Sequence, residues 1–254
     1  MKTDNTKRFS NRVDDYVKYR PGYPKKVISF LQQNYDLKKN NIIADIGSGT
    51  GISTSIFLDA GYIVYAVEPN IEMRHKAVEL LGKNPNFHQV NGKAEHTGLQ
   101  PNSIDVIISG QAFHWFDAKS AKLEFKRILK KNGLVVLMWN ERKTDSAFEK
   151  EYDQLIVRHS KDYVKVDHKN IDDQKLANFF SPDDYYLELF FNQQVFDFNG
   201  LLGRRLSSSY MPARNERGYE AVIKDLRLLF DKYKKYEAII LNYETKVYCG
   251  RFKF

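Results

Sequence analysis

Residues 42–51 read IIADIGSGTG, a short apolar run followed by a loop in which every second residue is glycine. Glycine lets the backbone turn sharply and approach a ligand, because it has no Cβ atom to interfere. Residues 52–60 follow with the pattern of a helix, whose first N–H groups and positive dipole end favour a bound ligand. A strand, a glycine loop and a helix in this order predict a ligand site at Gly47, Gly49 and Gly51.

Strand and helix patterns alternate on both sides of this loop. Further strands are predicted at residues 62–67, 87–90, 104–109 and 134–139, and further helices at 25–35, 72–81 and 118–130. Such alternation favours right-handed β–α–β units and a mainly parallel sheet. The C-terminal part adds predicted strands at 187–198 and 246–252 and a helix at 219–236. The sequence therefore predicts an α/β protein with a seven-stranded, mostly parallel sheet and helices on both faces.

The length of 254 residues fits a single domain, residues 1–254, because domains usually contain about 100–200 residues. The ligand-binding core is expected at about residues 36–140. Residues 141–180 turn polar and helical, and we expect them to form a helical cap over the carboxyl edge of the sheet, together with residues 1–30. The C-terminal strands are expected within residues 187–254.

The composition indicates a folded protein, with 42% hydrophobic and 28% charged residues. No apolar run reaches the roughly 18 residues of a transmembrane helix, and the N-terminus lacks the apolar region of a secretory signal. Cys249 is the only cysteine, which excludes an intrachain disulfide and disfavours a cysteine-based metal site. We therefore expect a cytoplasmic protein with no membrane partner and no bound metal.

The net charge of +8 is unevenly distributed along the chain. Residues 1–41 and 201–254 each carry a net charge of +6, whereas residues 42–200 carry −4. A lysine-rich solvated surface accounts for most of these charges. A second interpretation is that both basic ends converge on an anionic substrate or on nucleic acid. The sequence contains no block of five consecutive basic residues, which disfavours nucleic acid.

Glu68 lies at the end of the second predicted strand, 23 residues after Asp45. A carboxylate at this place can accept two hydrogen bonds from a ribose diol. Glu68 alone would suggest a solvated strand end, but beside the glycine loop it favours ligand binding. A phosphate-binding P-loop is excluded, because no Gly-Lys-Ser/Thr follows, and Ile52 stands where a dinucleotide fingerprint would have its third glycine.

These motifs resemble those of the class I methyltransferase family, whose first motif, Asp-x-Gly-x-Gly-x-Gly, is matched by residues 45–51. Glu68 matches the acidic second motif, and residues 92–95 match the stretch that contacts adenine. The resemblance covers about residues 14–140, and it implies a Rossmann-like fold and S-adenosylmethionine as the cofactor. The cofactor-binding residues that it implies are Tyr16, Arg20, Asp45, Gly47, Gly49, Gly51, Glu68, Pro69, Ala94, Glu95 and Gln111.

Residues 16–21, YVKYRP, resemble the N-terminal cap of small-molecule methyltransferases similar to the trans-aconitate and ubiquinone or menaquinone types. This closer likeness implies that Tyr16 and Arg20 close over the cofactor. The guanidinium of Arg20 could pair with the methionine carboxylate. The alternative is that Arg20 anchors the N-terminal arm to a surface acid.

Residues 110–116, GQAFHWF, follow the fourth strand, and the family's fold places this segment beside the transferred methyl group. Methyl transfer is an in-line displacement, for which the protein aligns the reactants, excludes water and, where needed, takes a proton. His114 is the candidate base because imidazole titrates near neutrality, but a lone histidine is more often structural, and a carboxylate acceptor needs no base. Trp115 could line the pocket, whereas core packing is favoured for Trp139.

Residues 203–212, GRRLSSSYMP, stand out in the C-terminal part, where family members often place a serine-rich loop near the substrate. Arg204 and Arg205 could bind a carboxylate or phosphate, and residues 207–210 could donate hydrogen bonds. The alternative is a helix end followed by a solvated turn. The predicted substrate-binding residues are thus His114, Trp115, Arg204, Arg205 and Tyr210.

The absence of two sequence features argues against two classes of methyl acceptor. Methylation of a cytosine carbon needs a cysteine near the cofactor, and Cys249 lies in the last strand, far from the motifs. The Asn/Asp-Pro-Pro-Tyr/Phe motif of base-amine methyltransferases is replaced by GQAF at residues 110–113. We therefore predict methyl transfer to a small organic acceptor such as an acid or a phenol. The alternatives are an RNA or protein methyltransferase, a nicotinamide-dependent oxidoreductase and a cofactor-binding protein without catalysis, and the oligomeric state stays open.

Overall fold

The computed structural model describes residues 13–160, 173–208 and 210–253. Its strands are β1 (Ile42–Ile46), β2 (Ile63–Val67), β3 (Phe87–Val90), β4 (Ile104–Gly110), β5 (Leu129–Arg142), β6 (Tyr185–Phe196) and β7 (Ile239–Arg251). They form one sheet in the order β3-β2-β1-β4-β5-β7-β6. β7 pairs antiparallel with β5 and β6, and the remaining pairs are parallel. The prediction of a seven-stranded, mostly parallel α/β sheet is therefore confirmed.

Nine α-helices are present in the described part of the chain, and none of them is both long and apolar enough to span a membrane. They are α1 (Val13–Tyr19), α2 (Lys26–Tyr35), α3 (Ile52–Asp59), α4 (Ile71–Leu81), α5 (Ala118–Ile128), α6 (Ala147–His159), α7 (Asp173–Phe180), α8 (Phe198–Leu206) and α9 (Tyr219–Tyr233). Local capping residues determine where several of these helices begin. The Asn70 side chain caps α4, and Ser146 with Glu149 forms a capping box on α6.

Side chains of the central strands alternate between the two faces of the sheet, as the pleat of a strand requires. Ala44 and Ile107 belong to the face that α5 and α7 cover, whereas Ile43 and Ile108 belong to the face that α2 and α3 cover. All four side chains are completely buried. Burial on both faces explains why β1 and β4 consist of nearly continuous apolar residues.

Helix α7 packs on a face of the sheet, which differs from the prediction that residues 141–180 lie over its carboxyl edge. Leu176, Phe179 and Phe180 are buried in the same core as Trp139 and Tyr248. These three apolar residues recur at positions i, i+3 and i+4, so they share one side of the helix. An apolar stripe of this kind is stable only when it is buried, and the aromatic side chains of Trp139 on β5 and Tyr248 on β7 pack against it.

Helices α6, α8 and α9 pack together with the first residues of β7 around a separate apolar core, and we call this unit the cap. β6 ends and β7 begins at the carboxyl edge of the sheet, because β6 runs parallel to the central strands and β7 runs against them. The cap therefore lies beyond that edge. Two of its helices, α8 and α9, come from the segment between β6 and β7, for which the sequence predicts a single helix at 219–236.

Candidate active site

A cavity lies at the carboxyl ends of β1, β2 and β4, and the strand order reverses between β1 and β4. Doubly wound sheets bind their ligands at such a reversal, because the loops on either side diverge there. The walls come from the loops after β1 to β4, from the N-terminal arm (residues 13–23) and from the turn after α8. Eleven predicted site residues line this cavity: Tyr16, Arg20, Gly47, Gly49, Glu68, Pro69, Ala94, Glu95, Gln111, Trp115 and Tyr210.

The glycine loop owes its shape to backbone in the left-handed region. The φ angle is +71° at Gly47, +57° at Gly49 and +88° at Gly51, where other L-residues are strained. The N–H groups of Gly47 and Ser48 both donate to the carbonyl of Val67, at 2.9 and 3.1 Å, and so fix the loop to the end of β2. Helix α3 begins without a side-chain cap, which leaves its first N–H groups for other acceptors, such as a ligand.

Asp45 and Gly51 support the loop from behind, in contrast to the prediction that they contact the cofactor. Asp45 is completely buried, and its Oδ2 accepts hydrogen bonds from the hydroxyls of Ser53 at 2.7 Å and Thr54 at 2.6 Å. Burial raises the pKa of Asp45 to about 6, although these two bonds oppose the rise. A Cβ atom on Gly51 would lie 2.4 Å from Cδ1 of Leu81, so this glycine lets the end of α4 pack closely.

Glu68 is the acidic residue that faces the cavity. Its Oε2 accepts a hydrogen bond from the N–H of Gly49 at 2.9 Å, and its Oε1 accepts one from the N–H of Asn70 at 2.9 Å. Burial raises the pKa of the Glu68 carboxyl, and the two backbone donors act against that rise. Each carboxylate oxygen can accept a further hydrogen bond, so the group can bind two adjacent hydroxyls of a ligand.

Four buried polar atoms on the cavity wall have no hydrogen-bond partner among residues 13–160, 173–208 and 210–253. They are Ser48 Oγ, Thr50 Oγ1, Gln111 Oε1 and Arg20 Nε. Buried polar atoms in folded proteins are nearly always paired, so their partners are expected to come from a ligand. Two hydroxyls, an amide oxygen and a guanidinium N–H suit a ligand that has hydroxyl, amino and carboxylate groups.

Gln111 occupies a strained backbone position directly after β4. Its φ angle is +56°, which is uncommon for a residue with a side chain. The backbone N–H donates to the carbonyl of Met138 at 2.9 Å, and the side-chain amide donates to the carbonyl of Asn140 at 3.2 Å. Both bonds hold Gln111 to β5 and leave its Oε1 for a ligand.

The wall after β3 is formed by a tight turn in which Lys93 and His96 exchange backbone hydrogen bonds of 3.0 Å. Ala94 is buried within this turn, and Glu95 accepts a hydrogen bond from the N–H of Asp117 at 2.9 Å. The turn therefore presents a small apolar side chain and an anchored carboxylate to the cavity, at the place where the family resemblance implies adenine.

The N-terminal arm brings Tyr16 and Arg20 to the cavity. The guanidinium of Arg20 lies 4.9 Å from the centre of the Tyr16 ring, and its Nη2 donates to the carbonyl of Ser207 at 3.2 Å. Burial and the neighbouring Arg204 lower the pKa of Arg20 to about 10. No carboxylate of the described residues forms an ion pair with Arg20, which disfavours the interpretation that it anchors the arm to a surface acid.

His114, the predicted catalytic base and substrate contact, is not among the residues that line the cavity. It lies in the short 3-10 turn Phe113–Trp115, where its ring packs 4.5 Å from the ring of Trp115. The turn therefore brings Trp115 to the cavity. Trp139 is completely buried against Phe113 and Tyr248, as core packing predicted.

Arg204 and Arg205, the predicted substrate contacts, are also not among the residues that line the cavity. Arg205 is 1% exposed, and its Nη2 donates to the hydroxyl of Tyr210 at 2.8 Å and to Ser208 at 2.6 Å. Arg204 donates to the hydroxyl of Tyr243 at 3.2 Å. Tyr210 itself lines the cavity, so Arg205 can act on a ligand through Tyr210.

The sequence motifs did not predict several cavity residues, among them Ser48, Thr50, Asn70 and Tyr23. Ser48 and Thr50 lie between the motif glycines, and Asn70 follows Pro69, so their neighbours in the motifs were an available signal. Tyr23 reaches the cavity through a tertiary contact, since a Cβ atom on Gly110 would lie 2.6 Å from its hydroxyl. Within the described residues, no group of three or more His, Cys, Asp or Glu side chains is arranged to hold a metal ion.

Residues 44–137 match the model of the methyltransferase domain family. A methyltransferase of Schizosaccharomyces pombe without an assigned role is 30% identical over 150 residues, which cover 58% of each chain. A similar protein of Mycobacterium bovis is 32% identical over 155 residues, which cover 61% of each chain. The match to each relative thus spans about three fifths of that relative's length. Residues 44–137, which the family model matches, contain the glycine loop and Glu68.

Solved structures share the same architecture. A candidate type II methyltransferase from Anaeromyxobacter dehalogenans superposes with a TM-score of 0.69 at 19% identity, covering 92% of this chain and 98% of its own. A phosphoethanolamine N-methyltransferase from Haemonchus contortus, bound to S-adenosylhomocysteine, gives a TM-score of 0.57 at 16% identity, covering 99% of this chain and 59% of its own. At these identities the superpositions show the fold. The sequence matches add that residues 44–137 are similar to the methyltransferase domain family.

Proposed function

We propose that this chain binds S-adenosylmethionine in the cavity and transfers its methyl group to a small organic acceptor, such as an acid or a phenol. The observation that supports this most directly is the pairing of Glu68 with the N–H of Gly49, within a cavity whose wall presents the unpaired oxygens of Ser48, Thr50 and Gln111. The match of residues 44–137 to the methyltransferase domain model supports the same function over nicotinamide chemistry.

Each wall of the cavity suits one part of this cofactor. The carboxylate of Glu68 would accept hydrogen bonds from the two ribose hydroxyls. Ala94 and Glu95 would lie against the adenine, and Gly49 would let the methionine portion pass close to the backbone. Gln111 Oε1 is an acceptor for the amino group of the methionine portion.

When bound, the cofactor supplies an electrophilic methyl group on its sulfonium. Trp115 and Phe116 line the cavity beside Gln111, so they would exclude water from the place where the acceptor meets that group. The face of the Trp115 indole would also attract the sulfonium charge. The protein's contribution is then mainly the alignment of acceptor and methyl group.

Isothermal titration with S-adenosylhomocysteine and with NAD tests the proposal. We expect the wild-type protein to bind S-adenosylhomocysteine and to bind NAD much more weakly. Glu68→Gln should lower the affinity for S-adenosylhomocysteine by about 10- to 100-fold, which is the usual contribution of a charge-assisted hydrogen bond. Glu72→Gln is the matched control, because Glu72 is exposed on α4 and does not line the cavity. Tighter binding of NAD than of S-adenosylhomocysteine would refute the proposal.

A further inference from the structure

We infer that the acceptor is an organic anion, and that its carboxylate or phosphate group binds where Arg20 and Tyr210 line the cavity. This inference rests on the proposed function and names its substrate class. It follows from a cluster of three guanidinium groups that the cap and the N-terminal arm bring together, namely those of Arg20, Arg204 and Arg205.

Arg205 is the most deeply placed of the three. It is 1% exposed, and the rings of Tyr210 and Tyr152 lie 5.1 and 5.9 Å from its guanidinium carbon. Its Nη2 donates to the hydroxyl of Tyr210 and to Ser208, whereas its buried Nε has no acceptor among the residues that the structure describes. A buried cation keeps its charge at a high cost unless an anion compensates it.

Within the described part of the chain, the two other arginines also lack an acidic partner. Arg204 donates to the hydroxyl of Tyr243, and Arg20 donates to the carbonyl of Ser207. Neither they nor Arg205 form an ion pair with a carboxylate in residues 13–160, 173–208 and 210–253. Three neighbouring cations of this kind create a strong local preference for a ligand anion.

The two buried acids of the site already have other donors. Glu68 accepts hydrogen bonds from the backbone of Gly49 and Asn70, and Asp45 accepts them from two hydroxyls on α3. These carboxylates belong to the sheet edge, whereas the arginines belong to the arm and the cap. Neither carboxylate therefore compensates the arginines. Tyr210 supplies one negative charge when its phenol ionises, and the remaining charge is expected to come from the ligand.

The cofactor can compensate at most one of the three arginines, because it has a single carboxylate. Its methionine portion carries an ammonium group as well as a carboxylate, and its sulfonium adds a further positive charge. An acceptor with a carboxylate or phosphate group would compensate the arginines, because guanidinium groups recognise both anions with planar, charge-assisted hydrogen bonds. The neutral phenol among the acceptors considered above is thereby disfavoured.

The test uses the full chain saturated with S-adenosylhomocysteine, into which inorganic phosphate and a panel of mono-, di- and tricarboxylates are titrated by calorimetry. We expect at least one of these anions to bind. Arg20→Gln and Arg205→Gln should each lower the affinity for that anion by about 10-fold or more, whereas Arg205→Lys should retain part of it. Arg214→Gln, an exposed arginine outside the cavity, should leave it unchanged.

The outcomes separate the two levels of the hypothesis. If the wild-type protein does not bind S-adenosylhomocysteine, the proposed function is wrong. If it does bind, but the loaded protein takes up neither phosphate nor any carboxylate, the anionic acceptor is wrong. 5′-Methylthioadenosine lacks the amino-acid group of the cofactor. If Arg20→Gln lowers the affinity for S-adenosylhomocysteine but not for 5′-methylthioadenosine, the cluster instead holds the cofactor's carboxylate, and the inference is wrong. Arg20→Gln keeps the test valid if Arg205→Gln does not fold, because Arg20 is less buried.

Discussion

The three glycines of the loop after β1 meet different surroundings. A Cβ atom on Gly47 would lie 2.6 Å from Cβ of Ala112, and one on Gly51 would lie 2.4 Å from Leu81. A Cβ atom on Gly49 would meet no atom within 4 Å, because Gly49 faces the open space of the cavity. Gly47 and Gly51 are therefore required by packing, whereas Gly49 leaves room for a ligand.

Gly49→Val should abolish cofactor binding without unfolding the protein, because the new side chain fills the cavity. We expect the affinity for S-adenosylhomocysteine to fall by about 100-fold or more, as one lost or blocked polar contact already costs 10-fold or more. Gly98→Val is the matched control, since Gly98 has φ +77°, open space around its Cβ and no place in the cavity. Both variants should lose similar thermal stability from backbone strain. Equal cofactor affinity in the two would contradict the site.

Tyr210 is expected to ionise near neutral pH. Burial alone would raise its pKa, but Arg205, Arg20 and Arg204 outweigh burial and lower the pKa to about 7. A tyrosinate absorbance titration should therefore show one of the 16 tyrosines ionising near pH 7, and Tyr210→Phe should remove that step. The folded state binds this proton more weakly than the unfolded chain, so Tyr210 should add stability as pH rises from about 7 towards 10, and the addition should be lost below pH 7. An unchanged titration in Tyr210→Phe would refute this.

At the scale of the elements, the arm reaches the cavity because α1 packs closely on α8. A Cβ atom on Gly203 would lie 2.1 to 2.6 Å from three atoms of the Tyr19 ring, so only glycine allows this approach. Arg20 follows Tyr19 directly, and Arg204 follows Gly203. The same helix contact therefore positions two of the arginines and Tyr16.

Gly203→Ala should push α1 away from α8 and weaken the site at a distance. We expect a loss of about 1–3 kcal/mol in the free energy of unfolding, typical of overpacking, together with weaker S-adenosylhomocysteine binding. In a Tyr19→Ala background, the same change should cost much less, because the obstructing ring is gone. A double-mutant cycle by chemical denaturation measures this coupling, and strictly additive effects would show that the two helices do not meet as described.

At the scale of the whole molecule, stability and ligand binding use different parts of the sheet. Phe180 is completely buried under β7, with its ring 5.2 Å from Tyr185 and 6.0 Å from Phe252, and it does not line the cavity. Phe180→Ala should lower the free energy of unfolding by about 3–5 kcal/mol, the usual cost of removing a buried phenyl ring. Phe191→Ala should cost less than about 0.5 kcal/mol, because Phe191 is 66% exposed.

Chemical denaturation of Phe180→Ala and Phe191→Ala measures both costs, and titration of the folded variants measures binding. Each folded variant should bind S-adenosylhomocysteine with wild-type affinity. A large loss of affinity in Phe180→Ala would show that this face of the sheet and the cavity are coupled.

The part of the site that the sequence predicted best consists of local motifs. For Gly47, Gly49 and Glu68, the residue type and the preceding strand are enough to predict a position at the cavity. The reason is that the carboxyl ends of adjacent parallel strands lie at one edge of the sheet. Asp45 belongs to the same motif, but alternation along β1 turns its carboxyl to the hydroxyls of α3. Motif membership therefore predicted its neighbourhood and missed its contact.

The sequence by itself determined the seven-stranded sheet and the glycine loop beside Glu68, since both depend on patterns that span a few residues. Only the tertiary structure decided that α7 covers a face of the sheet, that Trp115 and not His114 lines the cavity, and that Arg20 joins Arg204 and Arg205. These outcomes depend on contacts between segments up to about 190 residues apart. No local pattern encodes such contacts, because they arise only when the cap, the arm and the sheet bury their apolar faces against one another.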